Sequence, residues 1–285
     1  MSLPQVLVGI VTRNRAGILP KALASALAQS VPQLQVAVID DGSTDDTPKL
    51  PAQFPEVSWV RRETGQGYMS ARNELMARPG CDFYVSLDDD AWFLRTDEIA
   101  VALQYLNEHP AVAAVAFDIL APDQPTARER GAAQPVAMFI GCGHLLRLAA
   151  VREVGAYEPT PGGYGGEEKD LCLRLMDAGY EIVRLPGVHV WHDKTPVARE
   201  IPHQHRSGVC NDLVMTLRRA PLLVLPLALP AKLFRHLQFS WRAGLVGPCL
   251  AGFALFARSL PAICRSRRSV RMETLRAYVH LSRVR

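Results

Sequence analysis

Three consecutive carboxylates follow an apolar run in the first third of the chain. The segment reads "CDFYVSLDDDAWF" over residues 81–93 and places Asp88, Asp89 and Asp90 side by side. Adjacent negative charges repel each other, and apolar neighbours strengthen that repulsion because they lower the local dielectric constant. Water, basic side chains or a divalent cation must therefore compensate the triplet.

A second acidic pair, Asp40 and Asp41, ends the apolar run "QVAVID". Such continuous β-branched runs are typical of strands buried on both faces of a parallel sheet. They alternate with segments of helical spacing over about ninety residues, a pattern that predicts a doubly wound α/β sheet. Since ligands of these sheets bind at the carboxyl ends of the strands, we expect both acidic clusters at one site.

The second half of the chain carries a different motif. The loop "TPGGYGGEEKD" contains four glycines and three acids, and it leads into an amphipathic helix that Gly179 closes. Acids at the start of a helix are favoured by the helix dipole, which would also keep them ionised. Further along, the apolar segment "VHVWH" ends at His192. An isolated histidine is often structural, and this alternative stays open for His192.

The charge of the chain is uneven. The formal net charge is +4, and 48% of the 285 residues are hydrophobic, which suits one large or two small globular domains. Residues 258–285 contain eight arginines and one acid, Glu273. This asymmetry predicts a soluble body followed by a basic end that meets an anionic surface.

Cysteine spacing and apolar runs bear on the compartment. The six cysteines form no C-x-x-C pair and predict reduced, mostly buried thiols of a cytoplasmic protein. The first residues do not have the pattern of a signal peptide. The apolar runs at 221–231 and 244–257 contain prolines and are shorter than the roughly 20 residues that a spanning helix needs. We therefore expect contact with a membrane surface rather than a transmembrane helix.

Taken in order, these segments resemble family 2 of the inverting glycosyltransferases, which have the GT-A fold. The resemblance covers about residues 5–192, and it implies an α/β fold with a Rossmann-like, mostly parallel central sheet flanked by helices. We expect a catalytic domain at 1–205 and a basic, helical C-terminal extension at 206–285. The segments that carry the resemblance are "VGIVTRNRAGILPKALASALAQS", "VAVIDDGSTDDT", "GQGYMSARN", "SLDDDAWF", "GGEEKDLCLRLMDAGYEI" and "VHVWH".

The resemblance implies a Mn²⁺ or Mg²⁺ ion that neutralises the leaving diphosphate. Asp90 would be the metal ligand, with Asp88 on the donor ribose or on the metal through water, and His192 as a third ligand or a diphosphate contact. Side chains of alternate residues in an extended segment point the same way, so Asp88 and Asp90 are expected to converge. Asp89 would then point elsewhere and pair with Arg13 or Arg72.

The same resemblance implies a nucleotide pocket. Asp41 matches the family residue that accepts a hydrogen bond from the nucleobase, and Asp40 is its neighbouring candidate. For Arg13 and Arg72, a surface salt bridge remains as an alternative to a ligand contact. The donor-binding residues implied in this way are Thr12, Arg13, Asn14, Asp40, Asp41, Arg72, Asp88 and Asp89.

An inverting transfer needs a base that takes the proton of the acceptor hydroxyl. The family places this base in an acidic pair at a helix start, and the aligned residue in "GGEEKDLCLRL" is Glu168. Glu167 is its neighbour, and Asp170 is the alternative if the register differs. The basic segment 193–208 is expected either to close over a diphosphate as a mobile lid or to be a solvated loop.

The predicted function is metal-dependent transfer of a sugar, by single displacement, from a UDP- or dTDP-linked donor to a glycan or lipid-linked acceptor. It would serve cell-surface polysaccharide or other glycan assembly on the cytoplasmic side of the membrane, with no nucleic-acid partner. The alternatives are an inactive GT-A scaffold and a sugar nucleotidyltransferase. A receiver domain would not need the "GGEEKD" segment, and a dinucleotide-binding enzyme would show G-x-G-x-x-G after the first strand.

Overall fold

The computed structural model describes residues 3–123, 131–193 and 200–283. Within these ranges the chain forms nine strands, nine α-helices and two 3₁₀ helices, the latter at Thr47–Ala52 and Leu222–Val224. The strands are β1 Val6–Thr12, β2 Leu34–Asp40, β3 Ser58–Arg61, β4 Phe83–Asp88, β5 Ala91–Phe93, β6 Val112–Leu120, β7 Gln134–Pro135, β8 Gly143–Arg147 and β9 Glu181–His192. The helices are α1 Leu19–Leu27, α2 Tyr68–Met76, α3 Glu98–Glu108, α4 Leu148–Val154, α5 Glu167–Asp177, α6 Ile201–Arg219, α7 Leu225–Ala243, α8 Val246–Arg265 and α9 Met272–Leu281.

All nine strands belong to one sheet with the order β3-β2-β1-β4-β8-β6-β9-β5, and β7 pairs with β9. The pairs among β3, β2, β1 and β4 are parallel, as the alternating strands and helices predict. The other half is mixed, because β8 runs antiparallel to β4 and β6, and β5 and β7 run antiparallel to β9. The sheet is therefore fully parallel in its first half, whereas in the mixed half only β6 and β9 pair in parallel.

The register of the parallel half brings the two acidic clusters to one edge. Thr12 at the end of β1 lies opposite Asp40 of β2, and Val11 lies opposite Asp88 of β4. Neighbouring strands are about 4.8 Å apart, so β1 alone separates the two acidic strand ends. The expected proximity of the two clusters is confirmed.

The core explains why the early strands are so apolar. Val8 and Ile10 of β1 are fully buried, as are Leu19 and Leu23 of α1, which pack against the same cluster. Each such side chain contributes about 1.5–3 kcal/mol relative to an exposed position. This apolar base fixes the strand ends on which the polar residues lie.

The chain divides into two compact units. The first is Met1–Ala156 with Ala178–Pro196, and the second is Tyr157–Asp177 with Val197–Arg285. The division differs from the predicted boundary at residue 205, because α5 groups with the C-terminal helices. Ion pairs explain the grouping, since Asp170 of α5 binds Arg219 of α6 and Asp177 binds Arg271 just before α9.

Two helical segments of the second unit are long and apolar enough to cross a membrane, judged by length and composition alone. They are Leu222–Ala243, with 22 residues and a mean hydropathy of 1.2, and Val246–Arg265, with 20 residues and a mean hydropathy of 1.4. The helices extend beyond the apolar runs at 221–231 and 244–257, and Pro230 and Pro261 lie inside α7 and α8. Contact with a membrane surface stays a prediction.

Candidate active site

The acid triplet lies where β4 turns into β5. Asp88 is the last residue of β4, and the turn begins at Asp89. Arg72 of α2 places Nη2 2.5 Å from Asp88 Oδ1. A cation from the neighbouring helix therefore compensates the first carboxylate of the triplet.

Arg15, which follows β1, compensates the other two carboxylates. Its Nη1 lies 3.3 Å from Asp89 Oδ1 and 3.1 Å from Asp90 Oδ2. Thr12 Oγ1 also donates a hydrogen bond to Asp89 Oδ2 over 2.8 Å. The observed partner of Asp89 is thus Arg15 rather than the expected Arg13 or Arg72, because the strand alternation ends at Asp88 and the turn directs Asp89 and Asp90 toward the same guanidinium.

Burial acts differently on these two acids. Burial raises the pKa of Asp89 to about 7, although Arg15 and the Thr12 hydroxyl oppose the shift. Burial also raises the pKa of Asp90, but His192 and Arg15 outweigh it and lower that pKa to about 2. At neutral pH Asp90 is therefore the firmly ionised member of this pair.

His192 reaches the triplet through strand pairing. β5 runs antiparallel to β9 with Ala91 opposite His192, so Asp90 lies next to the end of β9. His192 Nε2 is 3.1 Å from Asp90 Oδ1, yet this buried nitrogen has no aligned hydrogen bond among the described residues. A buried imidazole nitrogen beside a carboxylate is a suitable metal ligand.

The side chains around His192 form a donor set that fits a divalent metal ion. One ligand atom each from Asp88, Cys142 and His192 lies within 4.8 Å of the others, and Asp90 adds a second carboxylate beside His192. Carboxylates and imidazole suit Mn²⁺, and Mg²⁺ accepts the carboxylates. The residues fit the divalent ion that the sequence implies.

Sequence reasoning missed Arg15 and Cys142. Arg15 stands two positions beyond Arg13 in "TRNR", and only the chain path shows which guanidinium reaches the triplet. Cys142 is buried just before β8, and burial raises the pKa of its thiol, as do the charges of Asp88 and Asp90. Scattered cysteines gave no local signal of this position.

Asp41 is held tightly at the end of β2. Its Oδ1 accepts hydrogen bonds from Arg62 Nη1 and Gln66 N, both over 2.9 Å, and its Oδ2 accepts one from Gly67 N over 2.8 Å. Burial alone would raise the pKa of Asp41, but these donors outweigh it and lower the pKa. Asp41 is therefore a fixed, ionised acceptor at the sheet edge.

Asp40 is less fully bonded than Asp41. Asp40 Oδ1 accepts a hydrogen bond from Ser43 N over 2.8 Å. Its buried Oδ2 has no hydrogen-bond partner in the part of the chain that the structure describes, and Arg61 Nε is 3.9 Å away. Asp40 thus keeps acceptor capacity for a ligand.

The segment after β1 is built for a close approach of two loops. Asn14 has a positive φ of 56°, and its Oδ1 accepts a hydrogen bond from Thr44 N over 2.7 Å. Arg13 is exposed, with its guanidinium against Gly65, where an added Cβ would lie 2.8 Å from Nη1. The loops after β1 and β2 therefore form one connected rim.

The acidic helix start belongs to the second unit, and its acids differ. Both oxygens of the buried Asp170 accept hydrogen bonds from guanidinium groups, at 2.6 Å and 3.1 Å from Arg219 and 2.9 Å from Arg174. Glu167 is 1% exposed, whereas Glu168 is partly exposed. Asp170 is thus engaged in structural ion pairs, and Glu168 is the acid that solvent reaches.

The glycine-rich loop before α5 is fastened to α6. Asn211 Nδ2 donates to the carbonyl oxygens of Tyr164 and Gly165, each over 2.8 Å, and Asn211 Oδ1 accepts from Gly162 N over 3.0 Å. A Cβ at Gly162 would lie 2.5 Å from Asn211 Oδ1. Here glycine allows the close approach, and the loop is held rather than loose.

Part of the predicted lid at 193–208 lies outside the described residues, and the part from Ile201 onward is helix α6, in which His205 Nε2 lies 2.7 Å from Ser240 Oγ. Trp92 and Trp191 stack on each other with ring centroids 6.3 Å apart. The two rings thus pack against each other where β5 pairs with β9.

The chain matches two family models. "Glycosyl transferase family 2" matches residues 7–153, more than half of the chain, and "N-terminal domain of galactosyltransferase" matches residues 126–204. The pre-mycofactocin glycosyltransferase of Mycobacterium tuberculosis is 28% identical over 68% of this chain. The putative glycosyltransferase EpsE of Bacillus subtilis is 24% identical over 61% of the chain. The chain spans 44% of the mycobacterial relative and 67% of EpsE.

Solved structures share the fold at low identity. S. aureus TarS 1–349 in complex with UDP-GlcNAc gives a TM-score of 0.65 with 16% identity, covering 93% of this chain and 82% of that one. The Pyrobaculum calidifontis mannosyltransferase PcManGT in complex with GDP-Man and Mn²⁺ gives 0.60 with 19% identity, covering 100% and 87%. Together with the sheet and the family model, these likenesses show that the chain belongs to glycosyl transferase family 2 and has the GT-A fold.

Proposed function

We propose that the chain is a divalent-metal-dependent, inverting glycosyltransferase that moves a sugar from a nucleotide-diphosphate sugar to an acceptor hydroxyl by single displacement. The observation that carries the proposal is the position of His192 at the carboxyl edge of the sheet, within 4.8 Å of a ligand atom of Asp88 and 3.1 Å from Asp90 Oδ1. Relatives with bound UDP-GlcNAc or with GDP-Man and Mn²⁺ support a nucleotide-sugar donor. For this chain we infer a UDP- or dTDP-linked donor.

Asp88, Asp90 and His192 would hold the metal ion. When bound, a divalent ion stabilises the negative charge that develops on the leaving diphosphate. The imidazole favours Mn²⁺ over Mg²⁺, because Mg²⁺ prefers an all-oxygen shell. Cys142 lies beside these ligands, but a thiol is a poor ligand for such hard ions.

Arg15 and Arg72 have two successive roles in this proposal. In the structure, each guanidinium forms ion pairs with carboxylates of the triplet. With donor present, the same guanidiniums would lie near the diphosphate and hydrogen bond to its oxygens. The rim formed by Thr12, Arg13 and Asn14 with Asp40 and Asp41 would line the nucleoside.

Glu168 would be the catalytic base. It starts α5, where the helix dipole favours the ionised carboxylate that must accept the proton. Asp170 is disfavoured for this role, since two guanidiniums occupy both of its oxygens. Glu167 is buried beneath the surface and is better placed to position the helix start than to meet a hydroxyl.

The biological setting follows from the second unit and the relatives. Exposed apolar and basic helices support a peripheral position at the inner face of a membrane, where a glycan or lipid-linked acceptor is presented. The matched relatives include a chondroitin synthase of Escherichia coli, 30% identical over 39% of this chain, which supports a role in polysaccharide or other glycan assembly.

Calorimetric titration of UDP-, dTDP- and GDP-sugars tests the proposal, with Mn²⁺, Mg²⁺ or EDTA in the buffer. We expect one nucleotide class to bind, and Mn²⁺ to strengthen its binding more than Mg²⁺. Equal binding in EDTA and in Mn²⁺ would remove the metal from the proposal. Absence of binding by every nucleotide sugar would instead favour an inactive scaffold.

A further inference from the structure

The second unit contains a cavity that the proposed transfer chemistry does not use. Its volume is about 510 Å³, and residues of α5, α6, α7 and α9 line it. This volume lies within the roughly 300–1,000 Å³ of small-molecule sites. The cavity is therefore large enough for a phosphorylated head group.

The lining of this cavity is strongly basic. No acidic side chain stands among its described lining residues. Such a concentration of one sign of charge raises the local concentration of anions. The five cationic side chains in the lining are Lys169, Arg219, Lys232, Arg235 and Arg283.

Nearby acids compensate only part of this charge. Lys169 and Lys232 both contact Asp212, with their Nζ atoms 3.4 Å and 2.5 Å from the same Oδ1. His236 lies on the other oxygen, 3.0 Å away. One carboxylate thus serves two ammonium groups, whereas Arg219 is paired with Asp170 and Glu158. The positive charge of the cavity therefore comes from the two lysines, Arg235 and Arg283.

The direction of the pKa shift of Lys232 agrees with an excess of positive charge in the cavity. Burial lowers that pKa, and the positive charges of Lys169 and Arg235 lower it further, against the attraction of Asp212. Cations that repel one another inside a cavity are stabilised by an anion that enters it. The lining is arranged for an anionic ligand.

Helix α7 contributes a second feature on an adjacent face. Leu227, Phe234 and Trp241 recur at helical spacing with exposures of 79%, 66% and 78%, and Leu223, just before the helix, is 87% exposed. Leu223, Leu227 and Phe234 each directly precede a residue of the cavity lining. One position rotates a helix by about 100°, so these apolar side chains lie on the face next to the cavity. A stripe of exposed apolar side chains on a surface helix indicates an apolar partner.

We propose that this cavity binds the phosphate or diphosphate of a lipid-linked acceptor while the apolar stripe of α7 contacts the lipid tail. An anionic head group matches the cationic lining, and an apolar chain matches the stripe on the next face of the same helix. The stripe from Leu223 to Trp241 is about 27 Å long at 1.5 Å per residue, which suits an extended lipid chain.

This inference rests on the proposed function and names the class of its acceptor. Lys169 of the cavity directly follows Glu168, the proposed base, at the start of α5. Binding the acceptor head group at Lys169 would therefore hold the acceptor close to the carboxylate that takes its proton. The cavity is a positioning site, and the reacting hydroxyl belongs to the sugar or phosphate beyond it.

Calorimetry with farnesyl diphosphate, inorganic pyrophosphate and farnesol tests the proposal on the full chain. EDTA is present, so that a metal-bound diphosphate in the first unit does not contribute. We expect farnesyl diphosphate to bind more tightly than either fragment, since only it carries both head and tail. Pyrophosphate binding as tightly as farnesyl diphosphate, or displacement of farnesyl diphosphate by excess UDP, would overturn the assignment.

Variants separate the two halves of the site. Lys232→Gln and Arg235→Gln should each weaken farnesyl diphosphate and pyrophosphate by about tenfold, the effect of one lost charged hydrogen bond. Leu227→Gln should weaken farnesyl diphosphate and leave pyrophosphate unchanged. Arg258→Gln, which removes an exposed arginine of α8 outside the cavity, is the control and should bind as the unchanged chain does. Because Arg235 is exposed, its variant keeps the test valid even if Lys232→Gln fails to fold.

Two further experiments show whether a negative result concerns the cavity or the donor site. Equal farnesyl diphosphate affinity in Arg235→Gln, Lys232→Gln and Arg258→Gln would refute the cavity. Competition by vesicles of phosphatidylcholine with phosphatidylglycerol as effective as farnesyl diphosphate itself would assign the cavity to bulk anionic lipid and overturn the acceptor. UDP titration with Mn²⁺ on the same variants reports on the donor site alone. Intact UDP binding without farnesyl diphosphate binding would thus overturn only the cavity proposal.

Discussion

His192 Nε2 lies 3.1 Å from Asp90 Oδ1, although about a hundred positions separate the two residues in the chain. The antiparallel pairing of β5 with β9 creates this contact, because Ala91 lies opposite His192. The same pairing brings His192 within reach of Asp88 and Cys142. A strand of three residues, β5, thus assembles the proposed metal centre from distant segments.

Asp90→Asn is expected to remove metal-dependent donor binding. The change deletes a charge that the metal ion needs and leaves Arg15 without one of its carboxylates. We expect Mn²⁺-dependent UDP affinity to fall by at least about tenfold, the lower range for altered metal surroundings. Calorimetry of UDP with and without Mn²⁺ measures this.

Cys142→Ser is the matched comparison within the same cluster. Because hard ions prefer oxygen and imidazole ligands, this variant should retain Mn²⁺-dependent UDP binding within about twofold. In the unchanged chain, Co²⁺ substituted for Mn²⁺ should give no thiolate-to-cobalt absorption band. A strong band would place Cys142 among the ligands and revise the proposed set.

Glu168→Gln is expected to abolish transfer while donor binding stays intact. The amide keeps the size of the side chain but cannot accept the proton, so turnover should fall on the order of a thousandfold. Steady-state kinetics give the turnover, and calorimetry gives the affinity for UDP. Full activity in this variant would move the base to another residue.

Asp170→Asn is expected to lower the stability of the chain, whereas Glu168→Gln is expected to lower turnover. Removing this charge leaves the buried Arg219 and Arg174 with less compensation inside the second unit. We expect a loss of about 3 kcal/mol in the free energy of unfolding. Denaturant titration measures it, and an unchanged midpoint together with lost activity would return Asp170 to the list of base candidates.

Gly162→Ala is expected to disturb the loop before the proposed base. The new Cβ would lie 2.5 Å from Asn211 Oδ1 and 2.8 Å from the carbonyl oxygen of Ser207, so the loop or α6 must shift. Overpacking of this kind costs about 1–3 kcal/mol. Gly208→Ala in α6 is the control, since nothing lies within 4 Å of its added Cβ. Thermal unfolding and turnover of both variants show whether the contact of this loop with α6 contributes to stability and to transfer.

Asp212 should make the stability of the chain depend on pH. Burial raises its pKa, but His236, Lys169 and Lys232 outweigh burial and lower it below the usual range. A lowered folded-state pKa gives stability that is present above the unfolded value of about 3.9 and is lost as pH falls below it. The melting temperature of the unchanged chain should therefore drop more steeply from about pH 5 to pH 3 than that of Asp212→Asn. Glu273→Gln, an exposed acid of α9, should keep the original slope.

The local pattern of residues was enough for much of the first unit. Uninterrupted β-branched runs identify β1, β2 and β4, because strands buried on both faces need apolar side chains at every position. Turn residues and acids mark where those strands end, and the parallel topology then requires Asp40 and Asp88 to share an edge. The family resemblance rested on these segments together with "GGEEKDLCLRLMDAGYEI" and "VHVWH", whose order along the chain is a property of sequence alone.

Pairing between distant residues needed the folded chain. Which arginine meets Asp89 depends on the path of the turn after β1, and the answer, Arg15, is two positions from the expected Arg13. The neutralisation of Asp170 by Arg219, the basic cavity of the second unit and the place of Cys142 beside Asp88 likewise join residues far apart in sequence. Periodicity reports the face on which a side chain lies, but the partner on that face is fixed only when packing and electrostatics close long loops together.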